Sequence, residues 1–276
     1  MIIVGERLNS TREPIQRALE AHDEEVLLRE AKAQWAAGAQ YLDINTATML
    51  DAEGEAMTWM VRRIQEAIPD ALMSIDTPSA SALEAGLRAH RGRALLNSIT
   101  GERERVEAVL PLIREFRPRV IALAMDDEGI ERDADKRFAI GARLIELLVR
   151  EGLAPDDIFV DPLIFPVSAE DDAGRIALDI MDRLKAACPG VHAIAGVSNV
   201  SHGLPMRRQI NQVYMLLAMS RGLDAAIVDP LDPRMMANIL TARLLLGRDP
   251  GCRAYVAAYR QGRLSLDAAP AERRPA

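Results

Sequence analysis

Short apolar runs recur along this chain, and most of them end at an aspartate or an asparagine. A buried strand of a parallel sheet reads as a near-continuous hydrophobic run, so each run predicts a strand. Two runs, Ile2–Val4 and Val120–Met125, lead directly into polar residues. The other six carry the polar residue at their end: Tyr41–Asn45, Leu72–Asp76, Ala94–Asn97, Ile158–Asp161, Ala193–Asn199 and Ala225–Asp229.

Segments with helical periodicity separate these runs. Apolar residues recur at helical spacing between positions 106 and 116, and again between 140 and 148. Gly38, Gly86 and Gly152 are expected to end helices in the left-handed conformation. Strand and helix therefore alternate about eight times, which predicts an α/β fold, a (β/α)8 TIM barrel.

The length of 276 residues also fits a single barrel, which typically has roughly 250. We predict one domain over residues 1–262, followed by a flexible tail over 263–276 that is rich in alanine, proline and charge. The alternative architecture is an open doubly wound sheet. It is disfavoured because no glycine-rich phosphate loop follows the first strand.

The composition excludes some classes of binding partner. The formal net charge is -7 and 4% of the residues are aromatic, which disfavours nucleic acid and anionic membranes as partners. No apolar stretch approaches the roughly 18 residues of a membrane span, and no secretory signal is visible. Cys188 and Cys252 show no paired spacing, so we expect reduced thiols in a cytoplasmic protein. The four histidines are dispersed, so no metal site is expected.

The polar strand ends predict a site at the carboxyl end of the barrel, where barrels of this type carry their active sites. An ionised carboxylate can accept two adjacent N–H bonds from a flat, nitrogen-rich ring, and an amide can both donate and accept. Asp76, Asn97 and Asp161 are the candidates for this role. The alternative is that these side chains only cap helices or form turns, as Asp161 and Asp229, each followed by proline, could do.

The segment around Asn199 differs from the other strand ends. Gly196 permits close backbone approach, and Asn199 follows where the seventh strand opens into its loop. A neutral amide there can donate to a nitrogen whose charge changes during a reaction. The alternative is that Asn199 and Ser201 only shape the loop by side-chain turns.

These stretches together resemble the pterin-dependent methyltransferases. The resemblance runs in order from the first residues to about position 230, so it covers most of the chain. The matching segments are residues 3–9, 42–45, 74–77, 96–98, 160–164, 196–201 and 222–227.

The resemblance implies roles for individual residues. Asp76, Asn97 and Asp161 match ligands of the pterin ring, Gly196 and Ser198 match contacts near the ring, and Asn199 matches the residue that hydrogen-bonds N5 of methyltetrahydrofolate. Arg207 lies in a segment similar to the family's arginine-containing helix start. We expect further residues to extend the pocket: Glu6, Asn9, Asp43, Asn45, Met125, Ile227 and Asp229.

The activity that this resemblance implies is transfer of a methyl group, in either direction, between N5 of tetrahydrofolate and the cobalt of a corrinoid. The chain lacks the Asp-x-His-x-x-Gly motif of corrinoid-carrying domains, so the corrinoid (cobalamin) must arrive on a separate partner protein. His202 is a weaker candidate for the acid that supplies the N5 proton. The family also implies a cytoplasmic homodimer.

Two alternatives stay open at this point. A dihydropteroate synthase-like condensing enzyme shares the segment around Asp76, but its cationic anchors for a diphosphate are replaced by residues 198–200 and 228–230. A non-catalytic folate-binding subunit would need no group at N5, and the presence of Asn199 argues against it.

Overall fold

The computed structural model describes residues 1–264, which form eight strands and ten α-helices. All strand pairs are parallel, and the strands are ordered β7-β6-β5-β4-β3-β2-β1-β8. The (β/α)8 barrel predicted from the sequence is therefore confirmed. The strands are β1 Ile2–Asn9, β2 Tyr41–Asn45, β3 Leu72–Asp76, β4 Leu95–Ile99, β5 Arg119–Leu123, β6 Ile158–Asp161, β7 His192–Ala193 and β8 Ala225–Val228.

The helices surround the sheet and begin at strong local signals. Asp23, Ser79, Asp133 and Asp232 each precede a helix and accept hydrogen bonds from its first backbone N–H groups. The helices are α1 Glu13–Glu20, α2 Glu24–Ala36, α3 Glu53–Ala67, α4 Ala80–Ala89, α5 Arg103–Phe116, α6 Ala134–Arg150, α7 Ala173–Ala187, α8 Arg207–Ser220, α9 Pro233–Leu245 and α10 Arg253–Arg260.

The barrel closes between β7 and β8 through few contacts. The backbone N–H of Ile227 donates to the carbonyl of Ala195 at 3.0 Å, and that of Asp224 donates to Ala193 at 3.2 Å. Gly196 and Ile227 form an isolated parallel bridge beyond the end of β7. The predicted strand over 193–199 is thus short, because the chain turns into a 3₁₀ helix at Val197–Ser201.

Two apolar clusters lie on opposite faces of the sheet. The larger one packs the strands against the helices. The smaller one fills the barrel, because its members alternate along each strand with residues of the larger cluster. Its buried members are Val4, Tyr41, Leu95, Ile121, Phe159, Ile194 and Ala225.

This inner cluster fixes where the functional side chains point. Side chains two residues apart on a strand share a face, so the residue two positions beyond each cluster member also faces the barrel axis. The pairs that follow from this rule are Val4 and Glu6, Tyr41 and Asp43, Leu95 and Asn97, Ile121 and Leu123, Phe159 and Asp161, Ile194 and Gly196, and Ala225 and Ile227.

Gly86 differs from its sequence-based prediction. Gly38 and Gly152 have positive φ and follow α2 and α6, as predicted. Gly86 instead lies inside α4 and is buried, and a Cβ there would come within 2.7 Å of Ile75 Cγ2. The glycine is needed for close packing of helix on strand.

The predicted flexible tail, 263–276, falls outside the described residues except for positions 263 and 264. The backbone N–H of Arg263 donates to the carbonyl of Ala258 in the turn that follows α10. Within residues 1–264, none of the helices combines the length and the apolar composition that a membrane-spanning helix requires.

Candidate active site

The carboxyl end of the barrel opens into a cavity of about 620 Å³. Its walls come from the ends of the strands, the loops that follow β7 and β8, and the start of α8. Most of the residues proposed from the sequence line it: Glu6, Asn9, Asp43, Asp76, Asn97, Gly196, Ser198, Asn199, Arg207, Ile227 and Asp229. Asn45, Met125 and Asp161 lie outside this lining.

A bulge in β1 brings two adjacent side chains to the cavity. The pairing of β1 with β2 shifts register between Gly5 and Leu8, and a bulge of this kind redirects side chains next to active sites. Glu6 and Arg7 consequently both line the cavity although they are neighbours in sequence. Gly5 is required here because a Cβ would come within 2.4 Å of the Gln34 side-chain oxygen, which accepts the Arg7 N–H.

Asp43 and Asp76 form the inner wall together with two amides. The Asn97 amide donates to Asp43 at 3.2 Å, and the Asn45 amide donates to Asp76 at 3.0 Å. Burial raises the pKa of Asp43, and the nearby Asp76 raises it further. Burial also raises the pKa of Asp76, against the bond from Asn45. Each carboxyl group accepts one amide bond and retains oxygen lone pairs for N–H donors of a ligand.

Glu6 completes the acidic side of the cavity. Burial and the neighbouring Asp229 raise the pKa of Glu6 to about 7, while a 3.4 Å hydrogen bond from the Ser198 hydroxyl opposes this rise. Asp229 itself accepts a bond from the Arg7 guanidinium at 2.7 Å and from the Leu231 backbone N–H at 2.9 Å. Within residues 1–264, Glu6 forms no ion pair, although the charges of Arg12 and Arg207 also oppose the rise of its pKa.

Asp161 is buried beneath the cavity. Its carboxylate accepts the Leu163 backbone N–H at 2.7 Å, which is the turn geometry that the alternative interpretation predicted. Burial raises the pKa of Asp161 to about 7, against backbone hydrogen bonds from Leu163 and Gly196. A role for Asp161 toward a ring stays a prediction, as do the roles of Asn45 and Met125.

The turn after β7 presents Asn199 to the cavity. A Cβ at Gly196 would lie 3.3 Å from the Asn199 amide nitrogen, so the glycine leaves room for this amide. Arg207 holds the turn by donating to the carbonyl of Ser198 at 2.9 Å and to the hydroxyl of Ser201 at 3.1 Å. No hydrogen bond within residues 1–264 occupies the Asn199 side-chain amide, which leaves its N–H groups available to a ligand.

The outer wall contains cations that the sequence analysis did not identify. Arg7, Arg12 and Arg208 line the cavity beside Arg207. Arg7 is paired with Glu30 and Asp229, both at 2.7 Å, and Arg12 donates to the carbonyl of Arg7. The sequence contains one signal that Arg7 lines the cavity, which is that it follows the predicted pocket residue Glu6. The bulge that turns Arg7 toward the cavity cannot be read from the sequence. The cavity therefore has an acidic inner end and a basic outer rim.

This arrangement suits a flat ring with adjacent N–H donors and an anionic substituent. The inner carboxyl groups accept from the ring, the Asn199 amide can donate to a ring nitrogen, and the outer arginines can face the anion. Among residues 1–264, no group of three or more histidine, cysteine, aspartate or glutamate side chains has the geometry to hold a metal ion.

Comparisons with known proteins agree with this description. The sequence profile of the family described as pterin binding enzymes matches residues 5–229. A methylcorrinoid:tetrahydrofolate methyltransferase of Eubacterium limosum is 34% identical over 266 residues, which cover 96% of this chain and 98% of that protein. A methionine synthase of Mycobacterium tuberculosis is 30% identical over 242 residues, which cover 83% of this chain and 20% of that protein.

Solved structures give the same fold at lower sequence identity. Dihydropteroate synthase of Xanthomonas albilineans with 4-aminobenzoic acid superposes with a TM-score of 0.63 at 19% identity, over 90% of this chain and 94% of that one. Dihydropteroate synthase of Yersinia pestis superposes with a TM-score of 0.61 at 18% identity, over 93% of each chain. At these identities the likeness concerns the fold alone.

Proposed function

The chain belongs to the pterin-binding enzyme family, and we propose that it transfers a methyl group between N5 of tetrahydrofolate and the cobalt of a separate corrinoid protein. The observation that carries the proposal is the Asn199 side-chain amide, which lines the same cavity as the acidic inner wall and has no hydrogen-bond partner within residues 1–264. The E. limosum relative is a methylcorrinoid:tetrahydrofolate methyltransferase, which supports both substrates. The sequence identity extends over nearly the full length of both chains, which supports assigning the same two substrates to this protein.

In this proposal the inner wall binds the pterin ring. Asp76 and Asp43 accept bonds from the amino group and ring N–H of the pyrimidine edge, and Asn97 bonds to a neighbouring ring atom. The side-chain amides of Asn45 and Asn97 hold these carboxyl groups in place before the ligand arrives. Arg12 and Arg208, at the outer rim, face the carboxylates of the folate tail.

Asn199 acts on the reacting nitrogen. Methyl transfer from methyltetrahydrofolate breaks the bond between N5 and the methyl carbon. The electron pair stays on N5, and a proton from solvent converts N5 to the N–H of tetrahydrofolate. The Asn199 amide donates a hydrogen bond to N5 as this pair develops, which stabilises the transition state by about 2–4 kcal/mol if it resembles one oxyanion-hole donor. In the reverse direction N5 attacks the methyl group and releases its proton to solvent, and the amide oxygen of Asn199 can orient N5 by accepting the N5–H.

The rim of the cavity is the proposed docking surface for the corrinoid protein. Leu50, Met206 and Leu231 follow β2, β7 and β8 and are exposed at the carboxyl end of the barrel. Exposed apolar side chains next to a cavity favour contact with a partner. The homodimer and the cytoplasmic location expected from the sequence stay predictions.

The test follows the absorption spectrum of the corrinoid. Purified protein is mixed with cob(I)alamin and methyltetrahydrofolate, or with methylcobalamin and tetrahydrofolate, and methylcobalamin should form or disappear at a rate proportional to the protein. A folate-binding subunit would bind tetrahydrofolate without changing the corrinoid spectrum. A condensing enzyme would instead form dihydropteroate from a pterin diphosphate and 4-aminobenzoate. Either result would reject the methyltransferase proposal.

A further inference from the structure

Arg105 lies outside the cavity but contacts the backbone of two strand ends that form it. It belongs to the first turn of α5. Among the described residues, every hydrogen bond from its guanidinium goes to a backbone carbonyl. The acceptors are Thr77 at 2.9 Å, Pro78 at 2.7 Å and Ser98 at 3.0 and 2.7 Å. Within residues 1–264, no carboxylate forms an ion pair with Arg105.

These carbonyls follow the two ring-binding candidates directly. Thr77 comes after Asp76, and Ser98 comes after Asn97. Asp76 and Asn97 are register partners at the end of the β3–β4 ladder, and the Thr77 N–H donates to the carbonyl of Asn97 at 3.1 Å. A single planar guanidinium with several donors therefore bridges the points where both strands leave the sheet.

The positive charge of Arg105 also acts on Asp76. Burial raises the pKa of Asp76, and the charge of Glu53 raises it too, whereas the bond from Asn45 and the charge of Arg105 lower it. Asp43 on β2 lies beside the same carboxyl group and repels its charged form. A carboxylate must be ionised to accept two N–H bonds at once, so a nearby cation favours the binding-competent form.

We propose that Arg105 is a positioning residue for pterin binding, which fixes the spacing of Asp76 and Asn97 and places a cation beside these strand ends. The proposal rests on the proposed function, since it assumes that these two side chains bind the ring. It assigns Arg105 no contact with the substrate.

Arg117 provides a matched control at the other end of the same helix. Its guanidinium also donates to backbone carbonyls, those of Glu151 at 3.0 Å and of Gly152. These carbonyls belong to the loop before β6, at the amino end of the barrel. A change of Arg117 therefore removes a similar clamp far from the cavity.

The experiment measures the affinity for tetrahydrofolate by calorimetry, over the pH range in which each protein stays folded. Arg105→Met should weaken binding by about 10- to 100-fold, the scale expected when binding groups are displaced by about 1 Å. The fall of affinity at low pH, here called the acidic limb, should move to higher pH in this variant, because loss of the cation raises the pKa of Asp76. Arg105→Lys should keep the position of the limb and lose only part of the affinity. Arg117→Met should match the unchanged protein.

The outcomes separate this inference from the proposed function. If the unchanged protein fails to bind tetrahydrofolate, the proposed function is wrong. If it binds, and Arg105→Met either binds equally well or loses affinity with no shift of the acidic limb, Arg105 has no more than a structural role and the inference is overturned. Thermal unfolding of each variant shows that the measured protein is folded, and Arg105→Lys tests the charge if Arg105→Met does not fold.

Discussion

The two ends of the barrel both contain acidic side chains that are partly or fully buried, but these side chains have opposite environments. At the amino end, the Asp224 carboxylate lies 2.8 Å from the Lys185 ammonium and 3.3 Å from the His192 ring. Burial raises the pKa of Asp224, but these two partners outweigh burial and the net pKa is lowered. At the carboxyl end, burial dominates, and the pKa values of Glu6, Asp43 and Asp76 are raised.

This difference separates stability from binding. Removing the cationic partner of a buried acid destabilises the fold, whereas a buried acid that has no such partner already costs stability unless a ligand supplies donors. The amino end is therefore complete without a ligand. The carboxyl end holds acceptors whose partners must come from a substrate, which is the expected state of a binding site.

The largest predicted effect concerns Asn199. Asn199→Ala should lower turnover by about 10- to 1000-fold while folate affinity and unfolding free energy change little, because the amide acts mainly in the transition state. Stopped-flow absorption of the corrinoid measures turnover. His202, the weaker candidate for the acid at N5, is exposed and lies outside the cavity lining. His202→Gln should therefore leave turnover unchanged and is the control in the same loop. Unchanged turnover in Asn199→Ala would remove Asn199 from the mechanism.

Matched substitutions at the two ends should have opposite consequences. Asp76→Asn should weaken tetrahydrofolate binding by about 10- to 100-fold, because a charged acceptor pair is lost, and should leave the unfolding free energy equal or higher. Asp224→Asn should leave binding intact and lower the unfolding free energy by about 1–3 kcal/mol, because Lys185 and His192 lose their partner. Calorimetry and urea unfolding measure the two quantities. Loss of binding in both variants would contradict the division between the ends.

The pH dependence of stability gives the same contrast. The folded-state pKa of Glu6 is about 7, above its ordinary value of 4.5, so its contribution to stability is full below about pH 4.5 and is lost as the pH rises through about 7. Glu6→Gln should therefore equal the unchanged protein in acid and be more stable above about pH 7, by up to about 3 kcal/mol.

His192 provides the counterpart at the amino end. The Asp224 carboxylate, 3.3 Å from the ring, raises the pKa of His192. The stabilisation by His192 is therefore full below its ordinary pKa of 6.5 and is lost as the pH rises through the folded value. His192→Gln should be less stable than the unchanged protein in acid and equal to it in alkali. Urea unfolding at a series of pH values tests both variants, and parallel curves for all three proteins would contradict these assignments.

The smallest predicted effect concerns Gly196. Gly196→Ala should reduce turnover by about 2- to 10-fold, because the new Cβ would lie 3.3 Å from the Asn199 amide and displace it slightly. Ala195→Gly, a change at the preceding buried residue, should leave the amide in place and serves as a control for turnover. Equal turnover in both variants would show that the position of the amide tolerates this displacement.

The barrel was predictable because two simple periods recur along the chain. Buried strands such as Leu72–Asp76 are continuous apolar runs, and α5 shows helical spacing over its whole length. The same logic located Asp76 and Asn97, since both end such runs. The inner cluster adds a rule that would have ranked Asp43 and Glu6 higher, because both lie two residues beyond a buried core residue of the same strand.

Other features depended on tertiary context. The bulge in β1 that presents Arg7 arises from pairing with β2 and leaves no sequence signal. Gly86 looks like a helix-ending glycine in the sequence, but it lies inside α4, where a Cβ would clash with the Ile75 side chain. Arg105 looks like any charged residue of an amphipathic helix, because its acceptors are backbone carbonyls of loops distant in sequence.

The weak closure between β7 and β8 has a dynamic consequence for the turn that carries Asn199. Only two residues of β7 pair in the ladder with β6, and two backbone bonds and one bridge join it to β8. Backbone amides in such a seam open more readily than those inside long ladders, so Ile194 and Ile227 should exchange their protons with heavy water sooner than Ile44 or Ile75. Bound folate should slow that exchange, because it would contact residues on both sides of the closure between β7 and β8 and hold the two strands together.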